Sequence, residues 1–402
     1  MDSSTKLAPL WLLGLITFSG TLAMHIFVPA LPAAARDLGA SAAAIQLTMS
    51  VYILGLAVGQ LFYGPLADHF GRRPILMVGL VIYAASGLWA AFAPTVDTLI
   101  GLRLLQALGG CSGMVIGRAM VRDNALPQDA ARRLALMNLV VVLGPGVAPL
   151  IGSGVTATFG WRAIFFLLAA LGAINFAFTW TLLPETRPPG RTSHFGLLMR
   201  DYGRLLKSPR FLGYTLGGGC ATTAMYGFVA ASPFIYSHQL GRPDYEVGIY
   251  LACQFSGVWL GSMVATRIIS RFPIDRLAIG ANMVSVTAGV AFLIAVLTNH
   301  LSVPAVVIPM FFFAAGAGVA SPAALTQAIS INPNVVGSAS GLYGFSQMAV
   351  GAICTAATGL GRDPALASAL VLVIAGAISQ ASFFVATRYR TPPAFPPTGT
   401  TP

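Results

Sequence analysis

Long apolar stretches alternate with short polar turns along almost the whole chain. Residues 42–63 and 74–93, for example, contain no charged side chain and flank the polar turn 64–73. A helix needs about 20 residues to cross a hydrocarbon core of about 30 Å, and each of these stretches is that long. The pattern predicts twelve membrane-spanning helices, at roughly 8–32, 42–67, 74–93, 98–121, 134–158, 162–183, 211–236, 246–266, 276–298, 303–325, 337–360 and 365–387.

The longest polar stretch, 184–210, divides these segments into two groups of six. A weak repeat at an offset of 198 residues supports two related halves, since it pairs Tyr52, Gly59 and Arg73 with Tyr250, Gly257 and Arg271. Two facing halves would suit alternating-access transport. We predict an N-terminal six-helix bundle at 1–184, a cytoplasmic linker at 185–210, a C-terminal six-helix bundle at 211–390 and a disordered Pro/Thr-rich tail at 391–402.

The linker itself has two interpretations. Its first residues are rich in proline, which excludes a helix there. Apolar residues then recur at helical spacing among basic ones, at Phe195, Leu198, Tyr202, Leu205 and Leu206. This pattern indicates either an amphipathic helix on the membrane surface or an ordinary flexible linker.

Composition agrees with an integral membrane protein. Of the 402 residues, 56% are hydrophobic and 9% are charged, and the mean hydropathy is +0.78. Soluble proteins have about 25% charged residues, so a soluble enzyme is excluded. The apolar runs are continuous rather than alternating, which predicts an all-α bundle and not a β-barrel.

The net charge of +11 is explained by topology rather than by nucleic-acid binding. Of the 23 Lys and Arg residues, 18 fall in loops on one side, and Arg103 lies inside an apolar segment. The other side has only Arg36, Arg162, Arg242 and Arg362. This positive-inside bias predicts a multi-pass membrane protein with both termini in the cytoplasm.

No chemistry of an enzyme or a metalloprotein is evident. The four cysteines, Cys111, Cys220, Cys253 and Cys354, fall in apolar segments at unrelated spacings, and we interpret them as free, buried thiols. There is no phosphate-binding loop for ATP. We therefore predict neither metal nor cofactor.

The polar turn between the second and third segments carries the most specific motif. It reads Gly64-Pro65-Leu66-Ala67-Asp68-His69-Phe70-Gly71-Arg72-Arg73. This resembles the G-x-L-A-D-R-x-G-R-R loop of the major facilitator superfamily, with His69 in place of the usual Arg. The resemblance implies the twelve-helix fold of that family and a conformational latch in which Arg72 or Arg73 contacts Asp123. The alternative is that these charges only set the topology.

Arg103 and Gln106 form a second motif, in the fourth segment. They resemble the family's R-x-x-Q-G, although Ala107 replaces the glycine. A buried Arg costs about 3 kcal/mol or more in a membrane and is a functional candidate by default. The resemblance implies a role in proton coupling or substrate binding. The alternative is an Arg whose side chain extends to the nearby interface.

The fifth segment contains a Gly-Pro-Gly sequence with a further glycine downstream. Gly144, Pro145, Gly146 and Gly152 resemble the G-P-x-x-G-G motif of the drug/proton antiporter branch. That resemblance favours export. Generic close packing of helices would also require glycines and is the alternative.

His25 lies in a stretch, residues 24–32, that resembles the first helix of the Bcr/CflA multidrug exporters. Their usual Asp falls on His25, and none of the twelve acidic residues of this chain lies deep in a segment. His25 is the one mid-membrane group that titrates near neutral pH. It is either the proton carrier or a neutral hydrogen-bonding residue, and both hypotheses stay open.

Neutral polar residues elsewhere in the segments could line a substrate cavity. Such groups suit an uncharged amphipathic ligand, although most polar residues in membrane helices serve helix packing. The candidates for the cavity lining are Tyr52, Gln60, Asn138, Tyr226, Gln254 and Gln347.

The sequence therefore predicts a transporter rather than an enzyme. The leading hypothesis, which the resemblance to the Bcr/CflA exporters implies, is a monomeric exporter in the bacterial inner membrane. It would expel small hydrophobic drugs, phenicol- or bicyclomycin-like, in exchange for protons, with His25 and Arg103 forming the coupling site. The alternative is a proton-linked carrier of a small organic anion bound by Arg103 and protonated His25, because the cavity's candidate charges are positive. A channel or a sensor with this fold is the third possibility. The expected partners are the substrate, protons and the lipid bilayer, without nucleic acid.

Overall fold

The structure is a computed structural model that describes residues 8–123, 127–186, 195–269, 271–331 and 336–389. Within these ranges the chain forms helices joined by short turns, and no strand is present. The tail 391–402 and the turn at 332–334 lie outside the described residues.

The described residues of the first half form seven α-helices. They are α1 Leu10–His25, α2 Leu31–Asp37, α3 Ala42–Phe70, α4 Arg72–Ala90, α5 Val96–Asp123, α6 Pro127–Phe159 and α7 Arg162–Leu182. The first predicted span is divided between α1 and α2 by a 3₁₀ turn at Val28–Ala30. Pro29 and Pro32 lack the backbone N–H that an unbroken helix would need, which explains the break.

The second half begins with the linker helix. Its elements are α8 Phe195–Leu206, α9 Pro209–Thr223, α10 Met225–Phe234, a π-turn at Ile235–Gln239, α11 Asp244–Ile268, α12 Ile274–Leu297, α13 Val303–Ser330, α14 Val336–Gly359 and α15 Pro364–Arg388. The linker thus forms the helix that the apolar spacing indicates. Its position on a membrane surface stays a prediction.

Nine helical segments of the described residues are long and apolar enough to cross a membrane. They coincide with nine of the twelve predicted spans. The remaining three predicted spans correspond to α6, the α9–α10 pair and α14. Their crossing stays a prediction.

The two halves use glycines in the same way to pack their helices. Gly59 of α3 lies so close to α5 that an added Cβ would be 2.7 Å from Cys111. Gly257 of α11 lies against the backbone of α13 at Phe311. These two glycines are a pair of the sequence repeat, so the repeat marks equivalent helix contacts.

The halves meet along two pairs of helices, α3 with α14 and α6 with α11. We call the end of the molecule that holds residues 64–73 the signature end, and the other end the opposite end. At the opposite end one apolar core includes Phe27 and Ile53 of the first half with Phe228 and Leu251 of the second. At the signature end each half has its own apolar core in the described residues.

An ion pair and a close helix contact also join the halves at the opposite end. Arg36, at the end of α2, forms an ion pair of 3.1 Å with Asp244 at the start of α11. Gly248 of α11 approaches α6 so closely that a Cβ would be 2.6 Å from the Pro149 carbonyl oxygen. The halves are therefore joined most completely at the opposite end.

Candidate transport site and conformational latch

The signature loop is much shorter than its sequence suggests. We expected a ten-residue turn at 64–73, but α3 continues to Phe70 and α4 begins at Arg72. This expectation was wrong because a single residue, Gly71, reverses the chain with φ +96°, a conformation that residues with a side chain rarely adopt. Gly64 lies inside α3 with open space beside it.

Arg72 is held between two carboxylates. Its Nη2 lies 2.7 Å from an Asp68 oxygen, and its Nε lies 3.0 Å from an Asp123 oxygen. The side chain is only 7% exposed, so the pairs are partly shielded from water. The contact predicted between Arg72 and Asp123 is present, and it fastens the start of α4 to the end of α5.

Glu185 completes this network, and sequence reasoning missed it. Its two carboxylate oxygens accept hydrogen bonds from the backbone N–H groups of Arg72 and Arg73, each at 3.0 Å. A carboxylate is favourable at a helix N-terminus, where N–H groups are unpaired and the helix dipole is positive. Arg73 donates to the Trp180 carbonyl oxygen at 2.6 Å and so adds a second link to α7.

The second half has a network at the corresponding place, built on Asp275 in the first turn of α12. The Tyr214 hydroxyl donates to an Asp275 oxygen at 2.6 Å, and the Gln327 amide donates to the same oxygen at 2.5 Å. Arg210 donates to the Gln327 side-chain oxygen at 3.3 Å. These contacts join α9, α12 and α13, although the second half lacks the signature motif.

Arg103 is fully inside the first half. It is 1% exposed, which excludes the alternative of a side chain reaching the interface. One guanidinium nitrogen donates to Gln106 at 2.6 Å and another to the Ala23 carbonyl oxygen at 3.0 Å. The guanidinium carbon lies 4.0 Å from the centre of the Tyr52 ring, a cation–π distance.

The bond to Ala23 follows from the break in the first span. Since α1 ends at His25, the residue four positions beyond Ala23 is not part of the helix and does not continue its hydrogen-bond pattern. A side chain takes that place, and a cation is favourable at a helix C-terminus. Two tyrosine hydroxyls also donate to carbonyl oxygens of α1, about one turn before its end: Tyr52 to that of Gly20 at 2.8 Å and Tyr83 to that of Ser19 at 3.0 Å.

His25 faces the second half instead. Its Nδ1 lies 2.9 Å from the Thr21 carbonyl oxygen, while its Nε2 is buried without a hydrogen-bond partner. The ring meets Phe255 of α11 and Tyr226 of α10 edge-on, with ring centres 5.2 and 5.8 Å apart. Among the described contacts none joins His25 to Arg103, so the two candidate coupling residues occupy different surroundings.

The antiporter-like motif on α6 lies against the residues that surround His25. An added Cβ on Gly144 would be 2.9 Å from the Phe18 ring, and one on Gly152 would collide with the Ile26 carbonyl oxygen. Gly146 lies across from Phe255, at 3.7 Å from its Cβ. Pro145 is inside the helix. The motif thus lets α6 touch α1 on both sides of His25.

The cavity candidates separate into different roles. The structure places Tyr52 in the packing of the first half rather than on a cavity, because its hydroxyl and its ring are both engaged. Gln347 likewise donates to Thr222 inside the second half at 2.7 Å. Gln60 bridges the halves by donating to the Gly344 carbonyl at 3.3 Å. The side chain of Asn138 lies outside the described residues.

Gln254 stands apart from these engaged residues. It is 1% exposed, and neither its amide nitrogen nor its oxygen has a hydrogen-bond partner. A buried amide without partners is unfavourable, so both atoms can bind an additional polar group.

The cysteines and possible metal ligands contribute no further site. Cys111, Cys220 and Cys354 are buried free thiols, but Cys253 is exposed, which corrects the expectation that all four are buried. Cys253 lies on the side of α11 that faces away from the bundle. In a membrane protein that side is apolar as well, so an apolar segment does not by itself indicate that a residue is buried. In the described part of the chain no group of His, Cys, Asp or Glu side chains could hold a metal ion.

A family model and the most similar known proteins agree on one family for this chain. The family model described as Major Facilitator Superfamily matches residues 13–355. Multidrug resistance protein D of Escherichia coli is 31% identical, over 83% of this chain and 84% of its own length. The bicyclomycin resistance protein homolog of Haemophilus influenzae is 27% identical over 85% of this chain and 86% of its own length.

Other relatives extend the match. The MFS-type transporter YdgK of Bacillus subtilis is 28% identical over 96% of both chains. Among solved structures, a bacterial homologue of the lysosomal transporter Spinster has a TM-score of 0.72 at 17% identity, covering 96% of this chain and 98% of its own. A D-xylose–proton symporter has the same TM-score at 13% identity, covering 92% and 96%. These structures confirm the fold.

The predicted resemblance, drawn from the signature loop and the antiporter-like motif, is therefore confirmed: this chain belongs to the Major Facilitator Superfamily of membrane transporters.

Proposed function

We propose that this protein exports small hydrophobic drugs, phenicol- or bicyclomycin-like, in exchange for protons. The names of its relatives support drug efflux, since they include a bicyclomycin resistance protein homolog and a multidrug resistance protein. The observation that carries the proposal is the position of His25. Its unpartnered Nε2 lies inside the contact between the two halves, where a bound proton can change how they fit together.

His25 is the proton carrier in this mechanism. Apart from Asp201 in the linker helix α8, the acidic residues of the described chain lie near helix ends or in loops, so no deep carboxylate competes for this role. An imidazole in contact with water changes charge near neutral pH, and His25 would come into contact with water when the halves separate. Protonated Nε2 would donate a hydrogen bond to water or to a polar group of the second half, and drug binding beside Phe255 and Tyr226 would displace the proton.

Arg103 positions the end of α1 and does not itself bind substrate. Its guanidinium is already bound to Ala23 and Gln106, and Tyr52 covers one face. An organic anion that bound the two terminal nitrogens would have to displace these internal partners, which leaves it only the buried, unpartnered Nε. This geometry favours the drug exporter over the alternative of a carrier that binds a carboxylate through Arg103.

Conformational switching follows from the two ends of the molecule. The shared core and the Arg36–Asp244 pair close the opposite end, while the halves keep separate cores at the signature end. We assign the signature end to the cytoplasm from the positive-inside bias, in a monomer of the inner membrane. Breaking the opposite-end contacts would open the site outward, and the network of Arg72, Asp68 and Asp123 would act as the latch that keeps the helices of the first half together.

The experiment uses inverted membrane vesicles loaded with a pH-sensitive dye. A phenicol is added to energised vesicles, then bicyclomycin, then a small carboxylic acid. Wild type should show proton movement on drug addition and none with the acid. His25→Ala should abolish the drug response.

His300→Ala is the matched control, because His300 is exposed and its ring contacts only the nearby Thr298 carbonyl among the described contacts. It should leave the drug response unchanged. A response to the acid and not to drugs would replace the exporter with the anion carrier. A drug response that survives His25→Ala would remove His25 from the mechanism.

A further inference from the structure

An apolar groove runs along the outer face of the second half, between α11, α12 and α13. Near the signature end it encloses about 500 Å³. Its walls include Val264, Phe272, Leu277, Val284 and Phe312, and Arg276 lies at its rim. It belongs to the lipid-facing surface, since Phe312 is 51% exposed in a transmembrane helix.

A second cavity continues the groove towards the opposite end. It encloses about 460 Å³ and shares Val284 and Phe312 with the first. From Arg276 to Ala291, its farthest lining residue on α12, the helix rises about 22 Å. One leaflet of the hydrocarbon core is about 15 Å thick, so the groove can hold a whole acyl chain.

The groove exists because a side chain is missing from its floor. Gly280 of α12 has no atom within 4 Å of the position that a Cβ would take. The lining is apolar apart from Arg276 and Thr287. A drug-binding pocket needs several convergent polar groups, which the groove lacks, whereas an acyl chain needs none.

Positive charge is concentrated at one end of the groove only. Arg267, Arg271 and Arg276 are exposed, and no ion pair to them is present among the described residues. The neighbouring Asp275 is directed into the bundle, where Tyr214 and Gln327 bind it. Arg276 is therefore left at the rim, at the level where the headgroups of that leaflet lie.

We propose that this groove is a binding site for an anionic phospholipid of the leaflet at the signature end. One acyl chain lies along α12 over Gly280, and the phosphate pairs with Arg276, with Arg271 and Arg267 adding attraction. The length of the groove selects a lipid, and the three cations select an anionic headgroup. The site is separate from His25 and does not depend on which compound is transported.

Native mass spectrometry of the detergent-purified protein tests this site. Phosphatidylglycerol and phosphatidylcholine of identical acyl chains are added as probes, and bound lipids are counted by mass. Wild type should prefer phosphatidylglycerol. A basic residue near an anionic surface contributes about 1 kcal/mol, so Arg276→Gln should lower phosphatidylglycerol binding about five-fold and leave phosphatidylcholine unchanged.

Gly280→Leu fills the groove without touching neighbouring atoms at its Cβ, and it should lower the binding of both lipids. Val284→Phe is a second filling variant with the same expected result. Arg388→Gln is the matched control. Arg388 is exposed at the end of α15, on the same end of the molecule as Arg276, and it lines neither cavity.

Unchanged lipid binding in Arg276→Gln, or in both filling variants, would overturn the proposal. A dimer that dissociates in Gly280→Leu would also overturn it and would assign the groove to a second copy of the chain. A lipophilic drug that binds wild type in place of lipid, and is lost in Gly280→Leu, would assign the groove to substrate instead.

Discussion

The two halves of the molecule fasten their helices at the signature end with opposite charges. In the first half a cation, Arg72, lies at the start of α4 between Asp68 and Asp123. In the second half an anion, Asp275, lies at the start of α12 between Tyr214 and Gln327. Equivalent places in a pseudo-symmetric fold thus use different chemistry for the same contact.

The difference follows from the helix dipole. An anion is favourable at a helix N-terminus and a cation is not, so Asp275 stabilises α12 without assistance. Arg72 and Arg73 carry the unfavourable sign, and Glu185 compensates by accepting hydrogen bonds from their backbone N–H groups. At the signature end the helices of the first half are consequently held by a network of charges, which one substitution can unbalance. The helices of the second half are held there by hydrogen bonds to a single charge.

The largest effect is expected for Arg72→Gln. It leaves Asp68 and Asp123 close together without their shielded cation, and breaking such a pair costs about 3 kcal/mol at the low end of its range. Thermal unfolding in detergent measures this loss. Arg73→Gln is the matched control, because the Arg73–Trp180 contact is exposed and should be worth about 1 kcal/mol. An equal loss of stability in the two variants would contradict the role of Arg72 at the centre of this network.

A smaller effect is expected for Gly71→Ala. Its backbone conformation costs about 1–3 kcal/mol for a residue with a side chain, and the new Cβ would lie 2.8 Å from a Glu185 oxygen. Gly64→Ala should be neutral or slightly stabilising, since it meets nothing within 4 Å and lies inside a helix. The unfolding temperatures of the two variants check this, and a Gly71→Ala protein as stable as Gly64→Ala would argue against the one-residue turn.

The smallest effect is expected in the second half. Asp275→Ala leaves the Tyr214 hydroxyl and the Gln327 amide without their acceptor, at a cost of about 1–2 kcal/mol. Asp275→Asn keeps an oxygen acceptor and should recover most of that loss. If Asp275→Ala destabilised the protein more than Arg72→Gln does, the second half would depend on charge as strongly as the first.

Sequence patterns predicted the parts of this comparison that a motif or a periodicity encodes. The apolar runs indicated the helices, and the signature loop indicated the contact between Arg72 and Asp123. The pairing of Gly59 with Gly257 marked equivalent helix contacts. Each of these three predictions depends on residues that either recur at a regular spacing within a helix or belong to a specific motif.

Other contacts could not be predicted, because they depend on where helices end. Arg103 binds the Ala23 carbonyl only because α1 stops at His25 and leaves that carbonyl free. Glu185 reaches α4 from the end of α7, and Asp275 has a sign opposite to its counterpart. His25 and Arg103 looked like one site by sequence, but one faces the second half and the other is enclosed within the first.

The proposed exchange requires that a bound drug displace a proton from His25. Purified protein in weakly buffered detergent, with a pH indicator, is titrated with a phenicol at a series of pH values while binding is followed by calorimetry. Wild type should release up to one proton for each drug molecule that binds, at pH values low enough to protonate His25 in the free protein, and binding should tighten as the pH rises through that range. His25→Asn should still bind the drug but release none. Proton release that persists in His25→Asn, or wild-type binding without release, would contradict the proposed exchange.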